Sequence, residues 1–367
     1  MSANITVGKT KTLMVMAGGT GGHVYPAMAV ADYLKQQGWN IVWLCTKGGM
    51  ENRLIDNKDY QKVMITMQGV RGKGLKGWIM LPFKLLNAFS QAHFAIKKYP
   101  PNVVLGMGGF AAFPGGIVAW LMRKPLLIHE QNSVAGLTNK TLAYLAKKTL
   151  VAFPSSFGDK AILVGNPVRK EIIQIATPEA RFKASDDKEP SAPLKLLVVG
   201  GSLGAHALNE IIPKALSEIA LERRPVVVHQ AGEKHITALK ANYQAVNVSV
   251  DAKAFINDMA AMYAWADVVF CRAGALTIAE LSAAGVASVL VPFPYAVDNH
   301  QTCNARYLSD AGAAILVKQT EFTVQKVVDI LKNLDREKCL NMAIKARKLG
   351  KPEATVEVAT ICMELAI

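Results

Sequence analysis

Several residue types and patterns are scarce or absent in this sequence of 367 residues. No acidic residue occurs between Asp59 and Glu130, although this stretch contains nine lysines and arginines. Charged residues make up only 19% of the chain and aromatic residues 7%, whereas hydrophobic residues make up 51%. This composition excludes a disordered or low-complexity protein, and the length favours two domains, each with its own core.

Patterns that would indicate metal binding or disulfides are also scarce. The five cysteines are widely separated, with no Cys-x-x-Cys motif and no cluster of cysteine and histidine at metal-binding spacing. No Asp-x-Asp motif or other carboxylate pair is placed to hold Mg²⁺ on a diphosphate. We therefore expect reduced thiols in a reducing compartment, and a protein that uses neither a metal nor another cofactor.

Long uninterrupted hydrophobic runs are missing as well. The apolar run at 13–17 is too short for the hydrophobic core of a signal peptide. Two charge-free stretches, 12–31 and 99–122, are long enough to cross a membrane, but glycine clusters and proline interrupt both. We therefore predict buried strands, loops and helices there rather than membrane spans.

The net charge of +14 is confined to one half of the chain. Residues 1–183 have a net charge of +15, whereas residues 184–367 have −1. Such a one-sided basic field indicates an anionic partner, which could be a nucleic acid, a phosphorylated substrate or an acidic membrane surface.

Within the acid-free stretch, cations alternate with apolar side chains. The cations are Arg71, Lys73, Lys76 and Lys84, and the apolar residues include Leu75, Trp78 and Phe83. This mixture favours the headgroup region of a lipid bilayer, because a nucleic-acid groove would contain more arginine and stacking aromatics. A buried helix with solvated lysines is the alternative interpretation.

Short apolar runs alternate with longer helical patterns along the chain. Strands are predicted at Thr12–Met16, Ile41–Leu44, Val103–Met107, Leu126–His129, Leu194–Val199, Val226–Gln230, Val268–Phe270 and Ser288–Val291, with helices at Pro26–Gln37, Leu208–Leu221 and Thr277–Ala284. This alternation is typical of βαβ units, which build parallel sheets covered by helices on both faces.

One unit of this pattern occurs twice. LMVMAGGTGG at 13–22 aligns with LLVVGGSLGA at 196–205, and each reads as a strand, a glycine turn and the start of a helix. The repeat predicts an α/β fold with two doubly wound domains facing each other across a cleft. A polar linker is expected at 177–193, and a last helix, from about Ala343, is expected to return to either domain.

In the N-terminal half, candidate site residues follow two predicted strands. The turn Gly18–Gly22 precedes a helix and could hold a phosphate, or it could be a tightly packed turn. His23, with an unperturbed pKa near 6.5, is a candidate general base or an exposed structural histidine. Glu130 follows another strand and could face a cleft or cap the next helix.

In the C-terminal half, the segment from Arg272 to Glu280 leads from a strand into a helix. The N–H groups of Ala275–Thr277 could hold a pyrophosphate, and Glu280 could accept from ribose hydroxyls or be a solvated carboxylate. The polar loop Asp298–Gln301 suits sugar hydroxyls.

Together these motifs resemble the GT-B glycosyltransferases of family 28 type, and within them the bacterial N-acetylglucosaminyltransferases that convert lipid I to lipid II. The resemblance runs over nearly the whole chain and rests on the order of its motifs. They are GGTGGHVYPA, GVRGKG, GMGGF, HEQN, AGLTNK, GNPVR, GGSLGA, FINDM and RAGALTIAEL through DNHQ.

The resemblance implies two Rossmann-like domains. Residues 1–169, joined by a C-terminal helix at about 347–367, would bind the acceptor and the membrane, and residues 170–346 would bind UDP-GlcNAc. The implied reaction is inverting transfer of GlcNAc to the MurNAc 4-hydroxyl of undecaprenyl-pyrophosphoryl-MurNAc-pentapeptide. It implies an anionic membrane surface at the cytoplasmic face of the bacterial inner membrane, no nucleic acid, and cell-wall synthesis and division proteins as partners.

The candidate residues then receive roles. We hypothesise a direct inverting displacement in which His23, or less favourably Glu130, removes the proton of the acceptor hydroxyl. The residues assigned to the donor are Thr20, Gly21, Gly22, Asn132, Arg169, Ser202, Ile256, Ala275, Leu276, Thr277, Ile278, Ala279, Glu280 and Gln301. Those assigned to the acceptor or membrane are Arg71, Lys73, Leu75, Lys76, Trp78, Phe83, Gly108 and Phe110. The chain departs from the family at Phe110, Leu203 and His300, where Tyr, Gln and Gln are common.

Two other interpretations stay open at this point. Another GT-B member, such as a glycolipid synthase or a UDP-GlcNAc 2-epimerase, would share most of the motifs, although HEQN and the basic apolar stretch favour a lipid acceptor. A non-enzymatic basic protein that binds RNA or membranes would explain the charge. It would leave GGSLGA and RAGALTIAEL without a role.

Overall fold

A computed structural model describes the protein at residues 10–67, 80–154, 157–184, 192–201 and 204–366. The chain forms two compact units. The first unit contains Met1–Pro167 and the returning segment Glu353–Ile367, and the second unit contains Val168–Pro352.

These divisions differ by a few residues from the boundaries expected after 169 and 346. The last boundary falls later because Arg347 is tied to the second unit. Its guanidinium donates to the backbone carbonyls of Ala283 and Ile173. The helix that contains Arg347 therefore belongs to the second unit.

Seven parallel strands form the sheet of the first unit: β1 (Thr12–Ala17), β2 (Asn40–Thr46), β3 (Gln61–Ile65), β4 (Val103–Gly108), β5 (Leu126–Glu130), β6 (Lys148–Val151) and β7 (Ala161–Leu163). Their order across the sheet is β3-β2-β1-β4-β5-β6-β7. The helices that precede the second unit are α1 (Gly21–Gln36), α2 (Glu51–Leu54), α3 (Leu81–Lys98), α4 (Ala112–Leu121) and α5 (Leu137–Ala143).

Six parallel strands form the sheet of the second unit: β8 (Lys195–Val199), β9 (Val226–Gln230), β10 (Asp251–Lys253), β11 (Val268–Cys271), β12 (Ala287–Leu290) and β13 (Ala314–Leu316). Their order is β10-β9-β8-β11-β12-β13. The helices are α6 (Lys170–Ile173), α7 (Pro178–Ala184), α8 (His206–Ser217), α9 (Ile236–Ala245), α10 (Met259–Trp265), α11 (Ala275–Ala284), α12 (His300–Ser309), α13 (Val324–Asn333) and α14 (Arg336–Leu349).

The apolar runs of the sequence are the central strands of these sheets. In the first unit, alternate residues of β1 belong to two separate core clusters: Leu13 and Val15 pack in one, and Met14 and Met16 in the other. A strand buried on both faces must be apolar at successive positions, which explains the uninterrupted runs. The predicted fold class, α/β with two doubly wound domains, is confirmed.

The end of the chain differs from the single helix expected from about Ala343. Helix α14 ends at Leu349, and a separate helix, α15 (Ala354–Leu365), follows Gly350–Pro352. Proline lacks the N–H that an interior helical residue donates, and it disfavours helical backbone in the residue before it. Helix α15 packs against α1 in the first unit, where Val358 and Cys362 join the core.

Helix α1 also begins earlier than the predicted Pro26–Gln37. It starts at Gly21, so Pro26 lies inside the helix rather than in its first turn. Among the described helices, none is both long and apolar enough to cross a membrane.

Candidate active site

Each sheet contains one topological switch point, where the strand order reverses. It lies between β1 and β4 in the first unit and between β8 and β11 in the second. Ligands of open α/β sheets bind beside the carboxyl ends of the strands at such points. The predicted site residues follow these strands, so each unit is described from its switch point outward.

In the first unit, the turns after β1 and β4 touch through their backbones. The Gly18 N–H donates to the Gly108 carbonyl at 3.3 Å. A β-carbon on Gly109 would lie 2.6 Å from the Gly18 carbonyl oxygen, so no larger residue fits there. This close approach brings Gly18, the start of α1 and the end of β4 into one site.

His23 is held in this site with a defined protonation pattern. Its Nδ1 lies 3.0 Å from the Gly18 carbonyl oxygen. Because a carbonyl oxygen can only accept, Nδ1 is the donor, so in the neutral imidazole Nε2 carries the lone pair. Nε2 lies beside Gly108, since a β-carbon there would be 3.2 Å away. This tautomer is the one a general base needs.

Glu130, the alternative base, is in a different state. It is buried at the end of β5, and both of its oxygens are used. One accepts from the Asn132 backbone N–H at 2.9 Å and from its side-chain amide at 3.3 Å. The other accepts from the Gly136 N–H at 3.1 Å and from Asn139 at 2.9 Å. Glu130 therefore organises the loop after β5, which leaves His23 as the better placed base.

In the second unit, Glu280 is buried in α11 rather than solvated. Its Oε1 accepts from Arg169 Nη2 at 2.7 Å, and Tyr263 donates to its Oε2 at 3.3 Å. Burial raises the pKa of Glu280, against the opposing effect of Arg169. The structure thus brings together two residues assigned to the donor, and it adds Tyr263, which the sequence analysis missed.

The start of α11 presents backbone donors at the switch point. Gly274 is its N-cap, and Ala275, Leu276 and Thr277 supply the first N–H groups, which have no partner within a helix. Ile278 differs, because its N–H donates to the Gly274 carbonyl and its side chain is buried in the core. The buried side chain and the paired N–H of Ile278 therefore lend no support to its assignment to the donor, which stays a prediction.

Two further assigned residues of the second unit are placed by their surroundings. Ile256 is 4% exposed, so a contact with uracil would come chiefly from its backbone. The Gln301 Oε1 accepts from the Phe293 N–H at 2.9 Å, which joins the start of α12 to the loop after β12.

Arg272, to which the sequence analysis gave no role, holds this same loop. It donates to the carbonyls of Val291 and Pro292 at 3.0 and 3.3 Å and to the Gln319 side chain at 2.7 Å. Its guanidinium also lies 5.5 Å from the centre of the Phe293 ring.

The residues assigned to the acceptor or membrane are placed only in part. Phe83, on α3, is 66% exposed, and Phe110 is also exposed. Helix α3 packs against α4, and both helices expose further large apolar side chains: Leu86, Phe94, Trp120 and Leu121. The other assigned acceptor or membrane residues lie outside the described part of the chain, except Gly108: Arg71, Lys73, Leu75, Lys76 and Trp78. The same holds for Ser202, which was assigned to the donor, and for Leu203.

Comparison with known families gives two matches, one in each half of the chain. The N-terminal domain of glycosyltransferase family 28 matches residues 13–151, and the C-terminal domain of the same family matches residues 195–358. The N-terminal match covers the first sheet except Thr12 and β7, the C-terminal match covers the second sheet, and each includes a switch point.

Curated relatives match over nearly the whole chain. The UDP-N-acetylglucosamine–N-acetylmuramyl-(pentapeptide) pyrophosphoryl-undecaprenol N-acetylglucosamine transferase of Dechloromonas aromatica is 53% identical, over 97% of this chain and 99% of the relative. The protein of the same name from Azoarcus sp. is 54% identical, over 97% of this chain and 98% of the relative.

Solved structures agree with these relatives. The crystal structure of Acinetobacter baumannii MurG has 42% sequence identity and a TM-score of 0.84, covering 96% of this chain and 99% of that one. A UDP-N-acetylglucosamine 2-epimerase superposes with a TM-score of 0.62 at 12% identity, covering 95% of each chain, which shows a shared fold alone. The chain therefore belongs to glycosyltransferase family 28, and within it to the N-acetylglucosamine transferases that the curated relatives represent.

Proposed function

We propose that this protein transfers GlcNAc from UDP-GlcNAc to the MurNAc 4-hydroxyl of undecaprenyl-pyrophosphoryl-MurNAc-pentapeptide, giving lipid II with inversion at the anomeric carbon. The names of relatives that are 53% and 54% identical support the substrates. The structural observation that carries the mechanism is the His23 tautomer, with its Nε2 lone pair beside Gly108 at the switch point.

The chemical step is a single displacement. The acceptor 4-hydroxyl oxygen attacks C1 of GlcNAc while its proton passes to Nε2 of His23. The bond from C1 to the β-phosphate oxygen breaks, and UDP leaves with the electron pair. The Gly18 carbonyl, 3.0 Å from Nδ1, then stabilises the imidazolium that forms.

The second unit supplies groups for the leaving UDP. The N-terminus of α11 carries a partial positive charge of about half an elementary charge, and its first N–H groups suit a diphosphate. Arg169, paired with Glu280 at 2.7 Å, adds a full positive charge. A carboxylate can accept about four hydrogen bonds, so Glu280 can accept from a ribose hydroxyl while it keeps Arg169 and Tyr263.

The first unit is proposed to attach to the anionic cytoplasmic leaflet of the inner membrane. Exposed apolar side chains on α3 and α4, including Phe83 and Trp120, lie in a part of the chain that carries lysine and arginine but no acid between Asp59 and Glu130. Such a surface partitions into the headgroup region, and nearby anionic lipids strengthen the binding. Interaction with cell-wall synthesis and division proteins stays a prediction.

A UDP-release assay tests the proposed reaction. With UDP-GlcNAc and lipid acceptor present, we expect UDP and lipid II in equal amounts, and we expect no UDP when the acceptor is omitted. Consumption of UDP-GlcNAc without acceptor would instead support an epimerase. A protein that only binds RNA or membranes would release no UDP under either condition.

A further inference from the structure

A buried carboxylate lies behind the β1 turn and takes no part in the chemistry described above. Glu51, at the start of α2, has no exposed surface. Its Oε1 accepts from the Thr46 backbone N–H at 2.8 Å and from the Thr46 hydroxyl at 2.5 Å, and its Oε2 accepts from the Gly19 N–H at 3.3 Å. No lysine, arginine or histidine in the described part of the chain forms an ion pair with it.

The surrounding backbone leaves room for this carboxylate. A β-carbon on Gly18 would lie 2.9 Å from the carboxyl carbon of Glu51, and one on Gly49 would overlap its oxygens. The two glycines that approach Glu51 therefore cannot be enlarged without displacing it. An unpaired buried carboxylate is unfavourable unless backbone and hydroxyl donors compensate, as they do here.

Glu51 and His23 bind opposite ends of one peptide group. The carbonyl of the Gly18–Gly19 peptide accepts from His23 Nδ1 at 3.0 Å, and the N–H of the same peptide donates to Glu51. Gly19 has φ +85°, a left-handed conformation that favours glycine, and this conformation sets the orientation of the peptide group. Carboxylate, peptide and imidazole thus form a continuous chain of hydrogen bonds.

We propose that Glu51 is a positioning residue for His23 and acts through the Gly18–Gly19 peptide. The inference rests on the proposed role of His23 as the base. The carboxylate polarises the peptide, so the Gly18 carbonyl becomes a stronger acceptor and the positive charge that develops on His23 is stabilised. A carboxylate that orients a catalytic histidine directly has the same effect, whereas here a peptide group lies between the two.

Two other titratable groups lie near Glu51. The Cys45 thiol on β2 is buried, and burial, with a smaller contribution from Glu51, raises the pKa of Cys45 to about 12, so the thiol stays neutral. Lys62 on β3 is paired with Asp56 at 2.8 Å. The thiol is therefore neutral and Lys62 is engaged by Asp56, so neither group forms an ion pair with Glu51.

Glu51→Gln tests the proposal. The amide oxygen can keep both bonds to Thr46, and the NH₂ group then faces the Gly19 N–H, so the peptide loses its acceptor. We expect kcat to fall by roughly 10- to 100-fold, by analogy with the loss of an outer-shell partner of a metal-ligating histidine, while KM for UDP-GlcNAc stays within about twofold. Asp56→Asn, on an exposed carboxylate a few residues away, is the matched control and should leave kcat unchanged.

Nuclear magnetic resonance on the wild-type protein gives a readout that does not depend on the variant folding. Titration of His23 should shift the Gly19 amide resonance with the same midpoint. The reason is that the Gly19 N–H belongs to the peptide group whose carbonyl accepts from His23. A Gly19 resonance that ignores the His23 titration, or a Glu51→Gln variant with normal kcat, would overturn the proposal. The turnover of His23→Ala in the UDP-release assay separates the role of Glu51 from that of His23. Normal turnover of this variant would refute the assignment of His23 as the base.

Discussion

The two switch points use the same strand arrangement but different charged groups. In the first unit, buried carboxylates hold backbone N–H groups: Glu51 accepts from Thr46 and Gly19, and Glu130 accepts from Asn132 and Gly136. In the second unit, arginines accompany the buried carboxylate. Arg272 donates to the carbonyls of Val291 and Pro292, and Arg169 is paired with Glu280 at 2.7 Å.

This difference matches the two tasks proposed for the units. A negative environment favours the imidazolium that forms when His23 takes a proton, and positive charge favours the departing diphosphate. The surplus charge of the first half, +15 over residues 1–183, does not enter this account, because the organising groups at its switch point are acidic. That surplus is better matched to the exposed face of α3 and α4.

The largest expected effect is on the first switch point. His23→Ala removes the proton acceptor, and a positioned base typically contributes about 10²- to 10⁴-fold to the rate. Turnover should therefore fall by that factor, while KM for UDP-GlcNAc changes little. His93→Ala, on the exposed side of α3, is the control for loss of an imidazole. Near-normal turnover of His23→Ala in the UDP-release assay would refute the assignment.

A smaller effect of a different kind is expected at the second switch point. Glu280→Ala removes the proposed ribose contact, which is made in both the ground state and the transition state. KM for UDP-GlcNAc should rise roughly tenfold with kcat largely kept, which corresponds to one hydrogen bond to a charged group. Glu337→Ala, on the exposed face of α14, is the matched control. A loss of kcat without a change in KM would contradict the proposal that the second unit binds the donor and the first unit supplies the base.

Acid should destabilise both units, because each buries one neutral histidine. Burial lowers the pKa of His129 to about 4 and that of His229 to about 3, below the unfolded value near 6.5. The stabilisation is complete above pH 6.5 and is lost as the pH falls toward the folded values, by about 1.4 kcal/mol per pH unit for each histidine.

His229→Gln isolates this effect in the second unit. Glutamine can replace the hydrogen bonds of His229 to Asn209 and Tyr243 but does not titrate. Hydrogen exchange at pH 7.5 and pH 5 should show a smaller acid loss of stability in the second unit of the variant, with the first unit unchanged. His93→Gln should behave like the wild type, and an unaltered acid loss in His229→Gln would contradict the explanation.

The smallest expected effects concern the membrane surface. Phe83→Ser should weaken binding to vesicles that contain anionic lipid by roughly 1 kcal/mol. The Phe83 side chain is 66% exposed in the free protein, and serine would remove the apolar surface that the lipid buries. Arg71→Glu, Lys73→Glu and Lys76→Glu should weaken it further and reduce its salt dependence. Leu221→Ser, equally exposed but in the second unit, is the control. Binding that is indifferent to salt and to these changes would leave the surplus charge unexplained.

The sequence predicted the central strands well and the outer strands poorly. Strands β1, β4, β8 and β11 were all expected, because both of their faces are buried and their residues are apolar in succession. The strands β3, β6, β7, β10 and β13 were not expected. All of them are short, and all except β6 lie at sheet edges. The edge strands carry exposed or polar residues such as Gln61 and Asp251, so their pattern does not differ from that of a loop.

The sequence predicted the site residues that lie in motifs. It did not predict the residues that reach the site through tertiary contacts. His23 and Glu130 both stood out because they follow apolar strands, but their states depend on partners that the sequence does not place next to them. Glu130 accepts a hydrogen bond from Asn139, which is nine residues away. Glu51 lies in no motif, and its link to Gly19 joins positions that are 32 residues apart.

One measurement tests the division between the units most directly: the affinity of UDP for variants of each switch point, measured by titration calorimetry. The account predicts that His23→Ala binds UDP as tightly as the wild type, whereas Arg169→Ala, which removes the cation paired with Glu280, binds it about tenfold or more weakly. Weakened UDP binding in His23→Ala together with normal binding in Arg169→Ala would contradict it.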